Sequence, residues 1–475
     1  MLNDLLPFWS VSPAVYFIAV MVLIVNVILK NRDSIKTLAW IMVFIFLPLV
    51  GCILYFFFGR DTRKKKFIGN RLLSQIKQRE LLQGDNNNIR ETDEHYLPLQ
   101  NYFYNASLAA ALPADDVEVI SDMGKFVTLL LEKISKAKEY IHIQFYIFED
   151  DELGRTVRDK LIEKAKQGVK IRFIYDSVGC WRVKTTFYEE MRRAGIYVES
   201  FLKVRFPLFT NKVNYRNHRK MVIIDGVTGF VGGCNIASRY VKGVEWGVWR
   251  DTMLMIHGKA VQGLQSSFLI DWYFSSRSLI SGKRYFPMVD SRGPALVQVV
   301  QSNPVGVVRA ISGGLVKLMS MSREYLFLQT PYFMPDESFL LALKSAAMSG
   351  VDVRLMVPEK SDSLISQYAS KSYFGDLLKH GVKIYLYSGG FLHSKVLVCD
   401  DYVSSVGSVN LDFRSFYHNF EVSAFVYDEQ VARALKNDFL NDMMSCRKLT
   451  AGEYYRRPLK EKCIESLARL FSPLL

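Results

Sequence analysis

The stretch of sequence that decides the fold occurs twice, as HRKMVIIDGVTGFVGGCN at residues 218–235 and as HSKVLVCDDYVSSVGSVN at residues 393–410. Both copies fit the pattern His-x-Lys-x4-Asp-x6-Gly-[Gly/Ser]-x-Asn with the same internal spacing. The chain has only 7 histidines, and two of them open these motifs. A histidine with a lysine can serve phosphodiester chemistry without a metal ion, because one moves protons or the phosphoryl group and the other offsets phosphate charge. The duplication therefore indicates one site that is built from two halves.

Both motifs begin within stretches that read as β-strands rich in apolar residues, 213–225 and 389–400. Alternate side chains of a strand share a face, so the histidine and the lysine of each motif point the same way. The aspartates have the opposite parity near the strand end, and we expect them to hold the following turn more readily than to contact substrate. The candidate catalytic residues of the two motifs are His218, Lys220, Asp225, His393, Lys395 and Asp400.

Each motif ends with small residues and an asparagine. The small residues, which allow the backbone to approach a ligand closely, are Gly232, Gly233, Gly407 and Ser408. Asn235 and Asn410 follow them and supply amide donors. The end of each motif is therefore a candidate contact with a bound ligand.

The duplication extends beyond the two motifs, since SKAKEYIHIQFYIF (135–148) resembles SMSREYLFLQTPYF (320–333). Each block alternates like a strand, and a helical pattern and a strand that opens with glycine follow it. These helices and second strands are predicted at residues 154–167, 168–176, 338–349 and 350–358. Strand–helix–strand order predicts a parallel sheet with helices on its faces, and thus an α/β fold. The two repeats are predicted over residues 105–290 and 291–475.

Two apolar runs lie near the start of the chain, at residues 11–29 and 38–58. Uncharged runs of this length can cross a bilayer core of about 30 Å, so residues 1–60 are predicted to hold two transmembrane helices. A buried helical hairpin is the alternative. The basic cluster GRDTRKKKF (59–67) favours a cytoplasmic main body. Residues 61–104 are predicted to be a basic juxtamembrane segment and linker, and the protein is expected in the cell membrane as a multi-pass protein.

The composition is that of a folded protein with an anionic partner. The 475 residues exceed one ordinary core, and 49% of them are hydrophobic and 13% aromatic. A net charge of +14, from 61 basic and 47 acidic residues, favours nucleic acid or an anionic lipid surface as the partner. The 6 cysteines are scattered without a Cys-x-x-Cys pair, which indicates reduced thiols and neither a disulfide framework nor a zinc site.

With these features the chain resembles the phospholipase D superfamily, whose mark is the doubled His-Lys-Asp motif, and within it the bacterial cardiolipin synthases. The likeness covers nearly the whole chain, through segments such as GVKIRFIYDSVG (168–179), GGCNIASRY (232–240), QTPYFMPD (329–336) and GSVNLDFRS (407–415). The resemblance implies two phospholipase D-like lobes, with mixed β-sheets flanked by helices, that form one shared active site. It also implies a membrane-bound phosphatidyltransferase that makes cardiolipin from two phosphatidylglycerol molecules and releases glycerol.

In the mechanism that this resemblance implies, His218 attacks the substrate phosphorus and forms a phosphohistidine ester. His393 protonates the leaving alcohol and then deprotonates the acceptor. The residues expected to bind the phosphoryl oxygens are Lys220, Lys395, Asn235, Asn410 and Ser408. Two fixed lysines can take the part of a metal ion, so no metal and no cofactor is expected. The expected partners are the anionic phospholipid phosphatidylglycerol and the membrane, without nucleic acid.

In the superfamily, an acid downstream of each motif holds the second nitrogen of each histidine. By their positions in the chain, Glu421 is expected behind His393, and Asp251 behind His218. A structural salt bridge is the alternative role for each acid.

Other functions stay open at this point. A phospholipase D, or a phosphatidyltransferase with a different acceptor alcohol, would use the same intermediate. A nuclease of the same superfamily would explain the motif and the charge but not the two apolar runs. A catalytically silent membrane scaffold is the third alternative, and both motifs being intact argues against it.

Overall fold

The structure is a computed structural model that describes residues 13–29, 34–55, 94–203, 215–304, 306 and 308–475. The chain divides into two compact units, one of Met1–Lys65 with Phe206–Lys212 and one of Lys66–Arg205 with Val213–Leu475. The basic cluster at 59–67 and the first part of the predicted linker, up to residue 93, lie outside the described residues. The rest of that linker forms a 3₁₀ turn, Glu94–Tyr96, and the first part of a helix, Leu97–Ser107.

The first unit contains three described helices, Pro13–Leu29, Ser34–Phe46 and Pro48–Leu54. Leu47 interrupts the second apolar run with a non-helical φ of −133°, and proline follows at the first position of the next helix. A small buried cluster holds the helices together, with members Val20, Val27, Phe44 and Tyr55. Across the described part of the chain, no helix combines the length and the apolar character that a membrane crossing needs. The two predicted spans are therefore not confirmed.

The second unit contains the sheets and most of the helices. Its described strands are β1 (Ala111–Ala114), β2 (Asp116–Ile120), β3 (Tyr140–Phe145), β4 (Lys170–Asp176), β5 (Tyr197–Phe201), β6 (Arg216–Asn217), β7 (Met221–Ile224), β8 (Thr228–Gly232), β9 (Val248–Arg250), β10 (Met253–His257), β11 (Ala295–Ser302), β12 (Tyr325–Gln329), β13 (Phe333–Met334), β14 (Asp352–Pro358), β15 (Lys383–Tyr387), β16 (Gly390–Leu392), β17 (Val396–Cys399), β18 (Val403–Gly407), β19 (Leu411–Asp412), β20 (Asn419–Tyr427) and β21 (Cys446–Leu449). Its described α-helices are Leu97–Ser107, Met123–Lys136, Glu152–Lys166, Thr185–Arg193, Arg239–Lys242, Val261–Ser276, Ala310–Met321, Glu337–Met348, Leu364–Lys379, Phe413–Tyr417, Glu429–Met443, Ala451–Tyr455 and Leu459–Leu470.

The strands form two large mixed sheets with matching centres. The seven-stranded sheet has the order β2-β10-β8-β7-β3-β4-β5. The ten-stranded sheet runs β1-β11-β20-β18-β17-β12-β14-β15-β21, and β6 pairs with β20 beside it. In both sheets a parallel trio, β3-β4-β5 or β12-β14-β15, is joined by an antiparallel motif strand, β7 or β17. The prediction of mixed sheets with flanking helices is confirmed.

The predicted strand–helix–strand units are present in both halves. Helix Glu152–Lys166 connects β3 to the parallel β4, and helix Glu337–Met348 connects β12 to the parallel β14. Both helices begin at an aspartate whose carboxylate accepts a backbone N–H in the first turn, Gly154 for Asp151 and Phe339 for Asp336, each at 2.9 Å. The repeat boundaries at 105–290 and 291–475 stay a prediction. Strand β1, from the first predicted repeat, pairs with β11 in the ten-stranded sheet.

An apolar core joins the two sheets, because both contribute side chains to one buried cluster. Its members include Met221, Ile223, Val231 and Leu254 from the seven-stranded sheet and Val297, Val398, Val406 and Val422 from the ten-stranded sheet. In β7 the intervening residues, Val222 and Ile224, pack on the other face with the helices of the first half. A strand that is buried on both faces has a continuous apolar sequence, and the motif strands β7 and β17 have such sequences.

The two motif aspartates fasten strands together at the end of each motif strand. Asp225 accepts the backbone N–H groups of residues 138, 139 and 140 at 2.8, 2.8 and 2.9 Å. Asp400 accepts those of residues 323, 324 and 325 at 2.8, 2.9 and 2.9 Å. Both aspartates have a left-handed backbone with φ of 51°, which aspartate tolerates better than most residues do. They therefore anchor the starts of β3 and β12, where the sequences of the two repeats match.

We expect Asp225→Ala to lower the free energy of unfolding by about 2–4 kcal/mol, because three backbone N–H groups lose their acceptor. Asp225→Asn, which keeps one acceptor oxygen and tolerates the left-handed backbone, should lose about half as much. Thermal unfolding of the purified full-length protein measures both changes. If Asp225→Ala has the melting temperature of the parent but no catalytic activity, Asp225 takes part in catalysis instead.

Candidate active site

His218 is held between the two halves of the chain. It lies between β6 and β7, and β6 pairs in parallel with β20 of the second half. Its backbone N–H donates to the carbonyl oxygen of Phe420 at 2.9 Å. Its Nδ1 lies 3.0 Å from Oε1 of the buried Glu421. Because a carboxylate only accepts, Nδ1 carries the proton and Nε2 keeps its lone pair.

His393 is held in the same way with the halves exchanged. It follows β16, which pairs in parallel with β9 of the first half. Its backbone N–H donates to the carbonyl oxygen of Arg250 at 2.7 Å, and its Nδ1 lies 2.6 Å from Oδ2 of Asp251. Lys395 Nζ also lies 2.8 Å from this Nδ1. The single Nδ1 hydrogen points to the carboxylate, so the Lys395 ammonium donates to the backbone carbonyl of His393 instead.

The prediction that each acid supports the histidine of its own half is wrong. Glu421 is bonded to His218 and Asp251 to His393, the reverse of the assignment from chain order. The reason lies in the short parallel pairs β6–β20 and β16–β9, which place the strand after one motif beside the histidine of the other. Each half supplies one histidine and the acid for the opposite histidine.

Burial governs the ionisation of the site. It lowers the pKa of His218 to about 4 and that of His393 to about 3, although the carboxylate partners act the other way. Burial likewise lowers the pKa of Lys220 to about 7 and that of Lys395 to about 8. Both imidazole rings are therefore neutral near pH 7, while the lysines lose their protons at far lower pH than free lysine does.

The two carboxylates remain ionised in spite of their burial. Burial by itself would raise the pKa of Asp251, but Lys395 and His393 more than offset this and the pKa is lowered. The pKa of Glu421 is lowered in the same manner, by His218 and Lys220 against burial. Below the pKa values of the two lysines, two carboxylates and two ammonium groups thus balance within the site, and a phosphodiester would add a negative charge.

The histidines share one cavity of about 940 Å³, which both asparagines also line. Aromatic rings stand beside the imidazoles, Tyr146 at 5.0 Å from His218 and Trp249 at 5.2 Å from His393 between ring centroids. Charged side chains of both signs line the rest of the cavity, namely Arg182, Lys184, Arg216, Arg239, Arg414, Glu149, Asp150, Asp151, Asp362 and Asp412. Among the described residues, no group of three or more His, Cys, Asp or Glu side chains is arranged to hold a metal ion.

The two asparagines that are predicted to bind phosphate differ in whether their amide groups already have hydrogen-bond partners. The Asn235 amide is already engaged, because its Oδ1 accepts the N–H of Ile147 at 3.0 Å and its Nδ2 donates to the Tyr240 hydroxyl at 2.6 Å. The Oδ1 of Asn410 is buried without a hydrogen-bond partner among the described residues. Asn410 is therefore the better placed of the two to contact a ligand, with Oδ1 accepting from a ligand donor or Nδ2 donating to a phosphate oxygen.

Ser408, which is predicted to bind the phosphoryl oxygens, does not line the cavity. Its hydroxyl is fully buried, donates to Glu421 and accepts the N–H of Val422 at 3.0 Å. It therefore supports the acid behind His218. The first half has Gly233 at this position, where a Cβ would lie 2.1 Å from Oδ1 of Asp251. Asp251 is shorter than Glu421, and its carboxylate lies in the space that the Ser408 side chain fills in the other half.

Asp225 and Asp400, which are predicted among the catalytic residues, lie apart from the two histidines. They lie at the far ends of β7 and β17 from the histidines. Neither lines the cavity. The expectation that they hold the following turn is also incomplete, because their carboxylates bind the starts of β3 and β12.

Comparison with known proteins agrees with this geometry. A family model described as cardiolipin synthase, PLD-like domain, matches residues 130–272 and 315–443, and one described as phospholipase D-nuclease N-terminal matches residues 14–60. The major cardiolipin synthase of Bacillus subtilis (strain 168) is 41% identical over 480 residues, which cover 98% of this chain and 99% of that protein. The chain belongs to the cardiolipin synthase family of phospholipase D-like proteins.

Other relatives of this family support the assignment. The cardiolipin synthase of Geobacillus sp. (strain WCH70) is 38% identical, covering 98% of this chain and 93% of that protein. Among solved structures, the phosphatidylserine synthase of Haemophilus influenzae Rd KW20 has a TM-score of 0.61 at 15% identity, covering 79% of this chain and 97% of that one. At this identity the likeness concerns the fold alone. The family resemblance is confirmed, and the chain is an enzyme of the phosphatidyltransferase kind.

Two buried arginines of this cardiolipin synthase family member escaped the sequence analysis. Arg219 donates to the backbone carbonyl of Glu421 at 3.0 Å and pairs with Asp271 at 2.5 Å. Arg250 donates to the backbone carbonyl of Asp251 at 2.5 Å and pairs with Asp442 at 3.0 Å. Each arginine thus fixes the strand that presents a histidine-binding acid.

One signal for these networks was present in the sequence. The matched glutamines Gln144 and Gln329 each donate to the aspartate of one network, Asp271 at 2.7 Å and Asp442 at 2.8 Å. The arginines themselves could not be found by comparing repeats, since one follows a histidine and the other precedes an acid.

The crossed pairing predicts crossed spectroscopic effects. In protein labelled with ¹⁵N only in its 7 histidines, Glu421→Gln should shift the ring nitrogen signals of His218 and leave those of His393 nearly unchanged. Asp251→Asn should do the reverse, because each substitution removes the carboxylate from one Nδ1–H. Each should also slow turnover by about 10²–10⁴-fold. A shift of the His393 signals in Glu421→Gln would contradict the pairing.

The lysine pKa values predict an alkaline limb in the pH profile. Charged lysine offsets phosphate charge, and the charged forms of Lys220 and Lys395 are lost as pH rises through about 7 and about 8. We therefore expect kcat/KM, which reports the free enzyme, to fall above this range. The arginine of Lys395→Arg stays charged over this pH range. If this variant folds, the alkaline fall in kcat/KM should reflect the titration of Lys220 alone. A profile that stays flat to about pH 9 would contradict the depressed pKa values.

Proposed function

We propose that this enzyme makes cardiolipin from two phosphatidylglycerol molecules and releases glycerol, through a phosphohistidine ester on His218. The observation that carries the proposal is the single cavity that His218 and His393 share, each with a buried carboxylate on Nδ1. A transfer through a covalent intermediate needs a nucleophile and an acid–base group on one phosphorus. The names of the family relatives supply the product.

In the first step, the Nε2 lone pair of His218 attacks the phosphorus of one phosphatidylglycerol. His393 Nε2 takes up a proton when the anionic phosphodiester binds. A P–N bond then forms, the P–O bond to the glycerol headgroup breaks, and His393 donates this proton to the departing oxygen. His218 suits this step because its pKa of about 4 keeps the ring neutral. The lysine ammonium groups offset the charge on the non-bridging oxygens as the transition state forms.

In the second step, the headgroup hydroxyl of another phosphatidylglycerol attacks the phosphohistidine. His393 takes the hydroxyl proton, a P–O bond forms and the P–N bond breaks, which restores both histidines. One phosphodiester replaces another, so the exchange needs no nucleotide. Water would give phosphatidic acid instead, and the aromatic rings beside both histidines help to exclude it.

We further propose that the enzyme acts at the cell membrane, with its catalytic body on the cytoplasmic side and the two predicted apolar segments as its anchor. Helix Pro13–Leu29 has 17 residues and so a length of about 26 Å. Apolar side chains of the described helices are largely exposed, including Ile18 at 61%, Leu29 at 77% and Phe46 at 70%. Such a surface favours a lipid environment over water.

The proposal is tested by supplying the purified protein with phosphatidylglycerol in detergent micelles and analysing the lipids and free glycerol. Equal amounts of cardiolipin and glycerol are expected. Phosphatidic acid as the only lipid product would make the protein a phospholipase. A product with another alcohol, when phosphatidylethanolamine is added, would change the acceptor.

The roles of the two histidines are separated by a substrate whose leaving group needs no proton, phosphatidyl-p-nitrophenol. His393→Ala should still release one equivalent of nitrophenol in a burst and trap the phospho-enzyme, whereas His218→Ala should release none. Peptide mapping should find the phosphate on His218. A burst in His218→Ala and none in His393→Ala would reverse the two roles.

A further inference from the structure

A second cavity, of about 470 Å³, lies between helix Leu364–Lys379 and helix Leu459–Leu470. It shares no lining residue with the catalytic cavity, although Phe413 lines it and the neighbouring Asp412 and Arg414 line the catalytic cavity. We term it the basic pocket, and the side chains that matter here are Arg457, Lys462, Glu465, Arg469, Leu470 and Ser472.

The basic pocket is lined by more basic than acidic side chains. Arg457 is paired with the buried Glu465 through contacts of 3.1 and 2.5 Å. Neither Lys462 nor Arg469 forms an ion pair in the described part of the chain, and Asp376 acts on Arg469 only from beyond ion-pair distance. Each cation donates one hydrogen bond to a backbone carbonyl, Lys462 to Tyr455 at 2.9 Å and Arg469 to Ser372 at 3.5 Å. Arg469 is held in place by the Tyr373 ring, 4.3 Å from the guanidinium carbon to the centroid. The pocket therefore presents two cations to a ligand.

Ser472 provides an independent sign of a missing ligand. It is 1% exposed, it lines the basic pocket, and its hydroxyl oxygen has no hydrogen-bond partner among the described residues. An unsatisfied buried hydroxyl destabilises the protein, and a hydrogen bond to a ligand oxygen would remove this cost. Two cations and a hydroxyl form a donor set that suits the oxygens of a phosphate.

An apolar surface adjoins the basic pocket. Leu467, Leu470, Phe471 and Leu474 are 61%, 73%, 53% and 62% exposed. Exposed apolar side chains beside basic ones are typical of helices that lie at a lipid surface. Leu470 belongs to both features, because it lines the basic pocket as well.

We propose that the basic pocket binds the phosphate of an anionic glycerophospholipid of the membrane surface, with the acyl chains against Leu467, Leu470 and Phe471. The positive charge selects an anionic headgroup, and the apolar surface selects a lipid over a soluble phosphate. The second unit thereby has a lipid contact of its own outside the catalytic cavity. This proposal does not rest on the reaction proposed above.

Hydrogen–deuterium exchange of the full-length protein in detergent tests the site, with His218→Ala present to prevent turnover. Dihexanoyl phosphatidylglycerol should protect the amides of residues 459–470. Lys462→Ala combined with Arg469→Ala should raise the lipid concentration for half protection by at least about tenfold, because two charged donors are lost. The matched control, Arg456→Ala with Lys460→Ala, removes the same charge from exposed positions that do not line the pocket. It should bind like the parent.

Further arms of the experiment separate the alternatives. Ser472→Ala should also weaken protection without lowering the melting temperature, since it removes an unsatisfied hydroxyl. Zwitterionic dihexanoyl phosphatidylcholine should protect weakly, and equal protection by it would overturn the proposal. Inorganic phosphate acting at the same concentration as the lipid would overturn its lipid part. The double variant should keep its transfer activity on micellar substrate. If the lipid protects residues 459–470 but the enzyme with His218 intact makes no cardiolipin, the basic pocket is supported and only the proposed reaction is refuted.

Discussion

Two hydrogen bonds from buried imidazoles to buried carboxylates, His218 to Glu421 and His393 to Asp251, determine how the rest of the second unit is arranged. Each bond crosses between the halves of the chain, so neither half contains a complete histidine–acid pair. Taking ionised carboxylates out of water is costly unless they are paired and hydrogen-bonded. The two imidazole N–H groups provide the hydrogen bonds, and the nearby charges of Lys395 and Lys220 help to lower the pKa of the two carboxyl groups. The shared apolar core between the sheets holds the partners together.

The buried arginines extend the same constraint outward. Arg219 and Arg250 bind the backbone of the residues that carry the acids, and each is neutralised by an aspartate on a helix that packs against the shared core. Each acid is thus held by its side chain on a histidine and by its main chain on an arginine. This fixes the acid on two sides, and a ring bonded to it has one orientation. A reacting phosphorus then meets both Nε2 atoms in defined places.

The sequence predicted the fold well where repetition and periodicity carry the information. The matched blocks before the motifs became β3 and β12, and the glycines at 168 and 350 follow the predicted helices and precede β4 and β14. The sequence could not predict which acid binds which histidine, because strand pairs as short as β6–β20 and β16–β9 leave no periodic signal. The role of Ser408 was missed for a similar reason. Whether a hydroxyl next to a glycine faces a ligand or an acid depends on a strand from another part of the chain.

In the reaction proposed here, one of two nearly identical motifs supplies the nucleophile and the other supplies the acid–base group. The two histidines differ in the carboxylate that each one binds. Glu421 is shared among three side-chain donors, from His218, Ser408 and Asn419. Asp251 is bonded to His393 at 2.6 Å and to one backbone N–H, that of Thr252. A carboxylate with fewer donors keeps more negative charge for an imidazolium. In the resting site, burial and Lys395 outweigh this difference, since they hold the pKa of His393 at about 3, below the value of about 4 for His218. A bound phosphodiester anion offsets the charge of Lys395, so that Asp251 can then stabilise a proton on His393 while His218 retains its lone pair.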